Sequence, residues 1–371
     1  MNCNRRRFFS KMGSGLAAAQ LALSAQTSSK TDKSKLAMPG PFRGRVVAVE
    51  HPGSIIEGKY QEAPVQQMIE RGMKDLTGAP DLTAAWKVFF EPGDVVGIKL
   101  NPVGAPHVMS SGEVVRAIIG GLRSVGLKNQ DIVVYDRYRA QFFKAGFDKW
   151  LPAGVRTSSA AEDYEGIQQA IEGYDPDHYM DMALTLKGYD LNNLTARRSY
   201  AAKFITKEVN KMINVPVLKD HQSAGITLAL KNMSHGLVNN VCRSHSTYTL
   251  NACGSFIPAV VSMPVIRNKV VLHILDGVKG LYHGGPGAKP QFVWEHKTMY
   301  FASDPVAMDH VGWKVIDAKR VAMGKHPIAE DRPDQFSKFL SRQPEHVEIA
   351  GALGLGEWDE KKIDVRRVKL A

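Results

Sequence analysis

The chain has 371 residues, 44% of them hydrophobic and 23% charged, and a formal net charge of +11. Such a composition is that of a globular protein, long enough to bury a large core without a disulfide or metal staple. The positive charge does not point to nucleic acid. Arg5, Arg6, Arg7 and Lys11 carry four of the excess charges, and Lys30, Lys33, Lys35, Arg43 and Arg45 against Asp32 carry a net four more. The remaining body holds only about three, with no stripe of basic and aromatic residues, so nucleic acid is disfavoured as a partner.

In chain order, Asn4-Arg5-Arg6-Arg7-Phe8-Phe9-Ser10-Lys11 precedes a mildly apolar, Gly- and Ala-rich run over residues 12–23 and the small-residue stretch Ala22-Leu23-Ser24-Ala25. A charged region, a weak apolar region and a cleavage site make residues 1–25 a signal peptide. Two arginines followed by x-Phe resemble the twin-arginine address, which is read by the twin-arginine translocation machinery. The apolar run falls short of the ~20 residues that span a membrane. No cysteine follows it for lipidation. The expectation is a periplasmic protein, cleaved near Ser24–Gln26, without a permanent membrane anchor. Residues 26–45, rich in Ser, Thr and Lys with Pro39 and Pro41, read as a flexible linker.

From residue 46 onward, strand-like and helix-like patterns alternate. Residues 46–49 predict a strand, and 64–76 a helix with Val65, Met68, Ile69 and Met73 along one side. Residues 94–100 predict a buried strand, then Ser110 or Ser111 caps a helix that runs to Val125 and stops at Gly126. Residues 132–135 are the next strand, and 150–200 show no regular pattern. Strand over 211–217, helix over 225–237, strand over 270–275, strand over 291–294, helix over 304–316 and a closing strand over 363–370 complete the series. Alternation of this kind predicts an α/β fold, a mainly parallel sheet flanked by helices, in one domain over residues 46–371.

Open sheets of this class bind ligands at the carboxyl ends of their strands. Four such places carry chemistry: Lys99-Leu100-Asn101, Asp136-Arg137, Lys219-Asp220-His221 with Thr227 and Lys231-Asn232 beyond it, and Asp276-Gly277-Val278-Lys279-Gly280 leading to His283-Gly284-Gly285-Pro286-Gly287. If they converge, Lys99, Lys219 and Lys231 would bind a small anionic ligand, with Asn101, Asn232, Arg137, Asp136, His283, Gly284 and Gly285 completing its site. His221 is the candidate acid–base, Lys219 a second catalytic group, and Asp276 would orient His221 or hold a metal. The glycine-rich loop does not have the G-x-G-x-x-G spacing of a dinucleotide site. His235, His245, His283 and His296 have no metal-ligand spacing, and Asp304 reads as a helix cap. Without a CxxC pair there is no iron–sulfur motif, while a metal or organic cofactor is left open. With Cys3 in the signal, Cys242 and Cys253 either pair or stay as two buried thiols.

IKLNPVG, INVPVLKDH, GITLALKNM, LDGVKGLYHGGPG, ASDPVAMD and IAGALGLG, in that order from about residue 46 to the C-terminus, resemble the family named domain of unknown function 362. The resemblance implies the fold and the site list, and its name assigns no activity. Some members carry ferredoxin-like cysteine clusters that this chain lacks, and members with twin-arginine signals agree with the N-terminus. The leading expectation is a periplasmic enzyme acting on a small carboxylate or phosphate with lysine and histidine acid–base chemistry. The alternative is a non-catalytic periplasmic factor that holds an anion or matures a cofactor.

Overall fold

A computed structural model describes residues 34–245, 251–328, 330, 332, 334–337, 339 and 342–371. The expected signal peptide and residues 26–33 of the expected linker lie outside the described residues. The architecture is α/β. Strands β1 (Arg45–Glu50), β2 (Val96–Lys99), β3 (Ile132–Tyr135), β4 (Arg156–Ser158), β5 (Lys211–Asn214), β6 (Val217–His221), β7 (Gly225–Thr227), β8 (Val270–Leu281), β9 (Val293–Ala302) and β10 (Asp364–Lys369) form one sheet. Its order is β10-β1-β9-β8-β5-β2-β3-β4, with β6 pairing β8 on one side and β7 on the other. Most ladders are parallel; β9 runs antiparallel to both of its neighbours, and β6–β7 is an antiparallel pair.

The central strands are short apolar runs because a parallel sheet is covered on both faces. Val96, Ile98, Ile132, Val133 and Val134 are fully buried, each worth roughly 1.5–3 kcal/mol of transfer free energy. Helices α1 (Glu62–Thr77) and α2 (Gly112–Ser124) cover one face. Their inward residues Val65, Met68, Val114 and Ile118 join Val47, Ile98 and Val134 in one core. The other core gathers α3 (Ala229–Leu237), α4 (Cys253–Val261), α5 (Pro305–Ala322) and α6 (Glu345–Ala352), through residues such as Leu230, Phe256, Val306 and Val347. Ser111 is the cap of α2, accepting from Val114 N. Ser110 is drawn into the sheet instead, where its Oγ accepts from Asn101 N and donates to Val215 O.

Several elements differ from the sequence reading. The apolar run 211–217 is two strands, because Pro216 has no N–H to continue the ladder. Lys219, Asp220 and His221 therefore lie inside β6 rather than just beyond the end of the expected strand. The helix expected from residue 225 begins at Ala229, since residues 225–227 pair with β6. β8 runs on to Leu281 through a bulge near Gly277–Lys279, which puts Asp276 within a strand. Residues 150–200 contain β4 and half of a separate ribbon, Tyr174–Asp181 against Arg198–Ala202. The end of the expected linker is not free: Met38 is buried, its N–H donates to Arg267 O, and Gly44 N donates to Asp304 Oδ2. Cys242 and Cys253 are buried free thiols.

Candidate functional site

At the carboxyl ends of β2, β5 and β6, four polar side chains form a directional chain. Ala229 O, a backbone carbonyl, must accept, which turns the Asn214 amide so that Nδ2 faces it at 3.1 Å. Asn214 Oδ1 then accepts from Asn232 Nδ2 at 2.7 Å, Asn232 Oδ1 from Asn101 Nδ2 at 3.0 Å, and Asn101 Oδ1 from Lys219 Nζ at 2.8 Å. Val103 O is the second acceptor for Lys219. Every amide is fixed by its neighbour, so the network is ordered in one sense.

Two acceptors satisfy a neutral amine completely, whereas an ammonium has a third N–H, and no described residue accepts it. Burial, then the charges of Lys231 and Lys99, bring Lys219 down to about 7. Directly opposite Lys219 in the β6–β7 register stands Thr227, a buried hydroxyl without a hydrogen-bond partner.

Lys231 lies on α3, whose N-terminus has no local side-chain cap. The cap comes from α5: Asp309 accepts from Ala229 N at 2.7 Å and Leu230 N at 3.0 Å. This fixes the start of the helix that carries Lys231, Asn232 and His235. The Lys231 side chain is buried, and among the described residues no hydrogen-bond acceptor or carboxylate meets its ammonium. Burial, with Arg137 nearby, lowers it to about 8. After burial, Lys231 is the largest charge effect on four imidazoles, His221, His235, His245 and His346, and it counters the upward push of burial on the Cys253 thiol. The lysine is thus the hub of the cluster. His346, on α6, has both ring nitrogens buried and unpartnered.

His221 is held as a neutral ring. Its Nδ1 accepts from Ser223 N at 3.0 Å and Ala224 N at 3.2 Å, which leaves the proton on Nε2. Burial and the neighbouring cations keep its pKa well below the ordinary value. The ring stacks on His245 at 5.9 Å, and His245 meets His235 at 5.5 Å.

The remaining expected site residues divide into two groups. Lys99 and Asp136 belong to the cluster as a buried ion pair at 2.7 Å, against which Gly236 packs so closely that a Cβ would lie 2.2 Å from Lys99 Cε. Arg137 is buried beside them, yet its guanidinium donates only to uncharged acceptors: Tyr174 Oη, His235 O and Gln168 Oε1. Asp276 does not orient His221. Its carboxylate accepts from Tyr60 Oη and Ser111 N at 3.0 Å each and from Val278 N, and burial raises it to about 6. His283, Gly284 and Gly285 belong to a separate buried network. Asp220 accepts from Gly284 N at 3.1 Å and Gly285 N at 2.8 Å and pairs with Arg342, while Asp334 pairs with Arg320, Arg342 and His283. Those loop N–H groups are occupied by a carboxylate and are not an anion cradle. Gly285 approaches Asp220 so closely that a Cβ would lie 2.2 Å from its carbonyl oxygen.

His296 stands apart, hydrogen-bonded to Tyr300 Oη. Among the described residues no group of His, Cys, Asp or Glu is placed to hold a metal ion. Two surface cavities of about 270 Å³ each, one beside His310 and Glu360 and one beside His107 and Trp294, contain none of Lys219, His221 and Lys231. Asn214 and His346 are not among the sequence-derived candidates: Asn214 sits in an apolar run, and His346 lies far along the chain from any of the four strand ends.

The family model described as Domain of unknown function (DUF362) matches residues 96–314. The chain belongs to that family. The matched span of this DUF362 protein begins at β2 and ends in α5, so it includes the whole amide chain, Lys219, Lys231 and the Asp309 cap; His346 lies beyond it. None of the curated proteins matches the chain. A crystal structure of a Thermotoga maritima protein is similar at 10% identity and a TM-score of 0.33, covering 60% of this chain and 52% of that one. The chain spans about half the length of that protein, and a likeness of this size informs neither fold nor function. Among the described residues no helix is long and apolar enough to cross a membrane.

Proposed function

We propose that this DUF362 protein binds a small carboxylate or phosphate at the cluster around Lys231 and acts on it by proton transfer. One observation carries the proposal: the Lys231 side chain is buried, and its ammonium, at the edge of solvent, has no hydrogen-bond or ion-pair partner among the described residues. A buried charge is costly unless paired, and an anionic ligand supplies the partner. Arg137 adds to the attraction because its own partners are uncharged, whereas the Lys99 charge is already balanced by Asp136. Lys219, at about 7, is neutral in about half of the molecules at pH 7, and with two N–H bonds committed to Asn101 Oδ1 and Val103 O it presents a lone pair as the base. His221, neutral with Nε2–H to donate, suits the stabilisation of a developing oxyanion better than the relay of a proton.

A non-catalytic holder of an anion or cofactor would use the same site, and recovery of unchanged ligand after incubation would decide for it. The test of the leading reading is calorimetric titration with inorganic phosphate. Saturable binding that Lys219→Ala and His221→Ala abolish, with melting temperatures within a few degrees of the parent, is the expected outcome. Binding that survives both substitutions would sink the proposal. We further propose export to the periplasm, supported by Arg5-Arg6 and the small residues that follow. Replacing both arginines with lysine should retain the protein in the cytoplasmic fraction.

A further inference from the structure

Lys219 and Lys231 are both buried lysines in one cluster, yet they are built for different tasks. Lys219 is tied down by Asn101 Oδ1 and Val103 O at the end of the amide chain. Lys231, on α3, has no hydrogen-bond or ion-pair partner among the described residues: the groups that act on its charge are the Cys253 thiol and the Arg137 guanidinium, and it acts in turn on His221, His235, His245 and His346. An amine whose nitrogen makes no hydrogen bond is free to form a covalent one. We propose that Lys231 is a Schiff-base lysine, and that the anion is the carboxylate or phosphate of a substrate carrying an aldehyde or ketone. The inference rests on the anion-binding reading and deepens it.

The chemistry balances without an outside oxidant or reductant. The neutral Lys231 nitrogen attacks the carbonyl carbon and forms a C–N bond, while the C=O π pair moves to oxygen and takes up a proton. The carbinolamine hydroxyl then takes up a second proton and leaves as water; both protons come from the Lys231 nitrogen, passed one at a time through a base to the oxygen, which leaves C=N. Lys219 is such a base, and His221 Nε2–H is a donor for the oxygen as charge develops on it. The unpartnered Thr227 hydroxyl and His346 nitrogens offer hydrogen bonds to the rest of the ligand. Burial beside Arg137 supports the assignment by holding Lys231 at about 8, which makes its neutral fraction at pH 7 roughly two orders of magnitude larger than that of a surface lysine.

The experiment is incubation of the full chain with pyruvate, the smallest anionic ketone of this kind, followed by sodium borohydride and peptide mass mapping. One reduced adduct on Lys231, on the order of a hundredfold above that on any exposed lysine, is expected. It should vanish in Lys231→Met and diminish when inorganic phosphate is added as competitor. No adduct, or one spread evenly over surface lysines, overturns the proposal, and this parent-protein map decides even if Lys231→Met does not fold. Phosphate binding measured alongside separates the two readings. Binding without an adduct refutes the Schiff base and leaves the anion site standing; loss of both refutes both.

Discussion

Replacing Lys231 with methionine tests the central premise, because the two side chains have similar length and apolar stem while only one carries a charge. In the folded protein the ammonium sits at about 8 against 10.5 for an exposed lysine. A depression of that size is on the order of 3 kcal/mol of unfavourable free energy at pH 7, where the group is still mostly protonated in both states. Methionine removes that cost and keeps the packing, so the variant should be more stable by roughly 3 kcal/mol. With an unfolding entropy of about 2.1 cal/mol/K per residue, this corresponds to a melting temperature higher by about 4 °C. The sign with pH follows from proton counting. Between 8 and 10.5 the unfolded chain binds the proton and the folded one does not, so stability of the parent rises through that window, and the variant should lack this share of the rise. Lys219, lowered to about 7 partly by Lys231, should move back toward its ordinary value. Differential scanning calorimetry from pH 6 to 10, without ligand, measures both effects. A variant less stable than the parent at pH 7 would refute the reasoning, since it would mean that the ammonium has a stabilising partner.

Three further substitutions or treatments probe the frame around the cluster. Gly236→Ala should cost about 1–3 kcal/mol in urea unfolding by driving a methyl into the Lys99 stem; an unchanged midpoint would mean that Lys99 moves aside freely. Asp304 accepts from Gly44 N and Glu357 N through Oδ2 and from Val306 N and Ala307 N through Oδ1. Asp304→Asn turns one oxygen into a donor facing donors, so hydrogen exchange at Gly44 and Glu357 should accelerate along with a loss of about 1–3 kcal/mol. Equal exchange rates in parent and variant would contradict this. Alkylation mapping should find Cys242 and Cys253 protected in the native protein and both reactive after denaturation without reductant; a recovered disulfide between them would overturn the free-thiol assignment.

The fold class was legible because it rests on local patterns: short apolar runs such as Ile132-Val133-Val134 alternating with amphipathic segments such as 64–76 leave few architectures open. The strand ends were legible for the same reason, since a buried run that stops at Lys99 or Asp136 points its polar residues at the sheet's edge. Boundaries failed where pairing overrode propensity, as at residues 225–227, which read as the start of a helix until β6 supplied a partner strand. Within the candidate site, the residue types were visible but their partners were not. Asp276 looked like a companion for His221 and turns out to serve Tyr60 and Ser111. Gly284 and Gly285 looked like an anion loop and are taken by Asp220. Asn214, the anchor of the amide chain, is hidden in Met212-Ile213-Asn214-Val215, where a single amide among apolar neighbours gives no signal.

By itself, then, the sequence determined the order of elements, the family and a list of lysines, asparagines and histidines at strand ends, all of which depend on residues near one another in the chain. Only the tertiary structure decided which cation is paired and which is bare. That is a matter of which acceptors distant segments bring within about 3 Å, and no local pattern encodes it: Lys99 finds Asp136, Lys219 finds Asn101, and Lys231 finds neither.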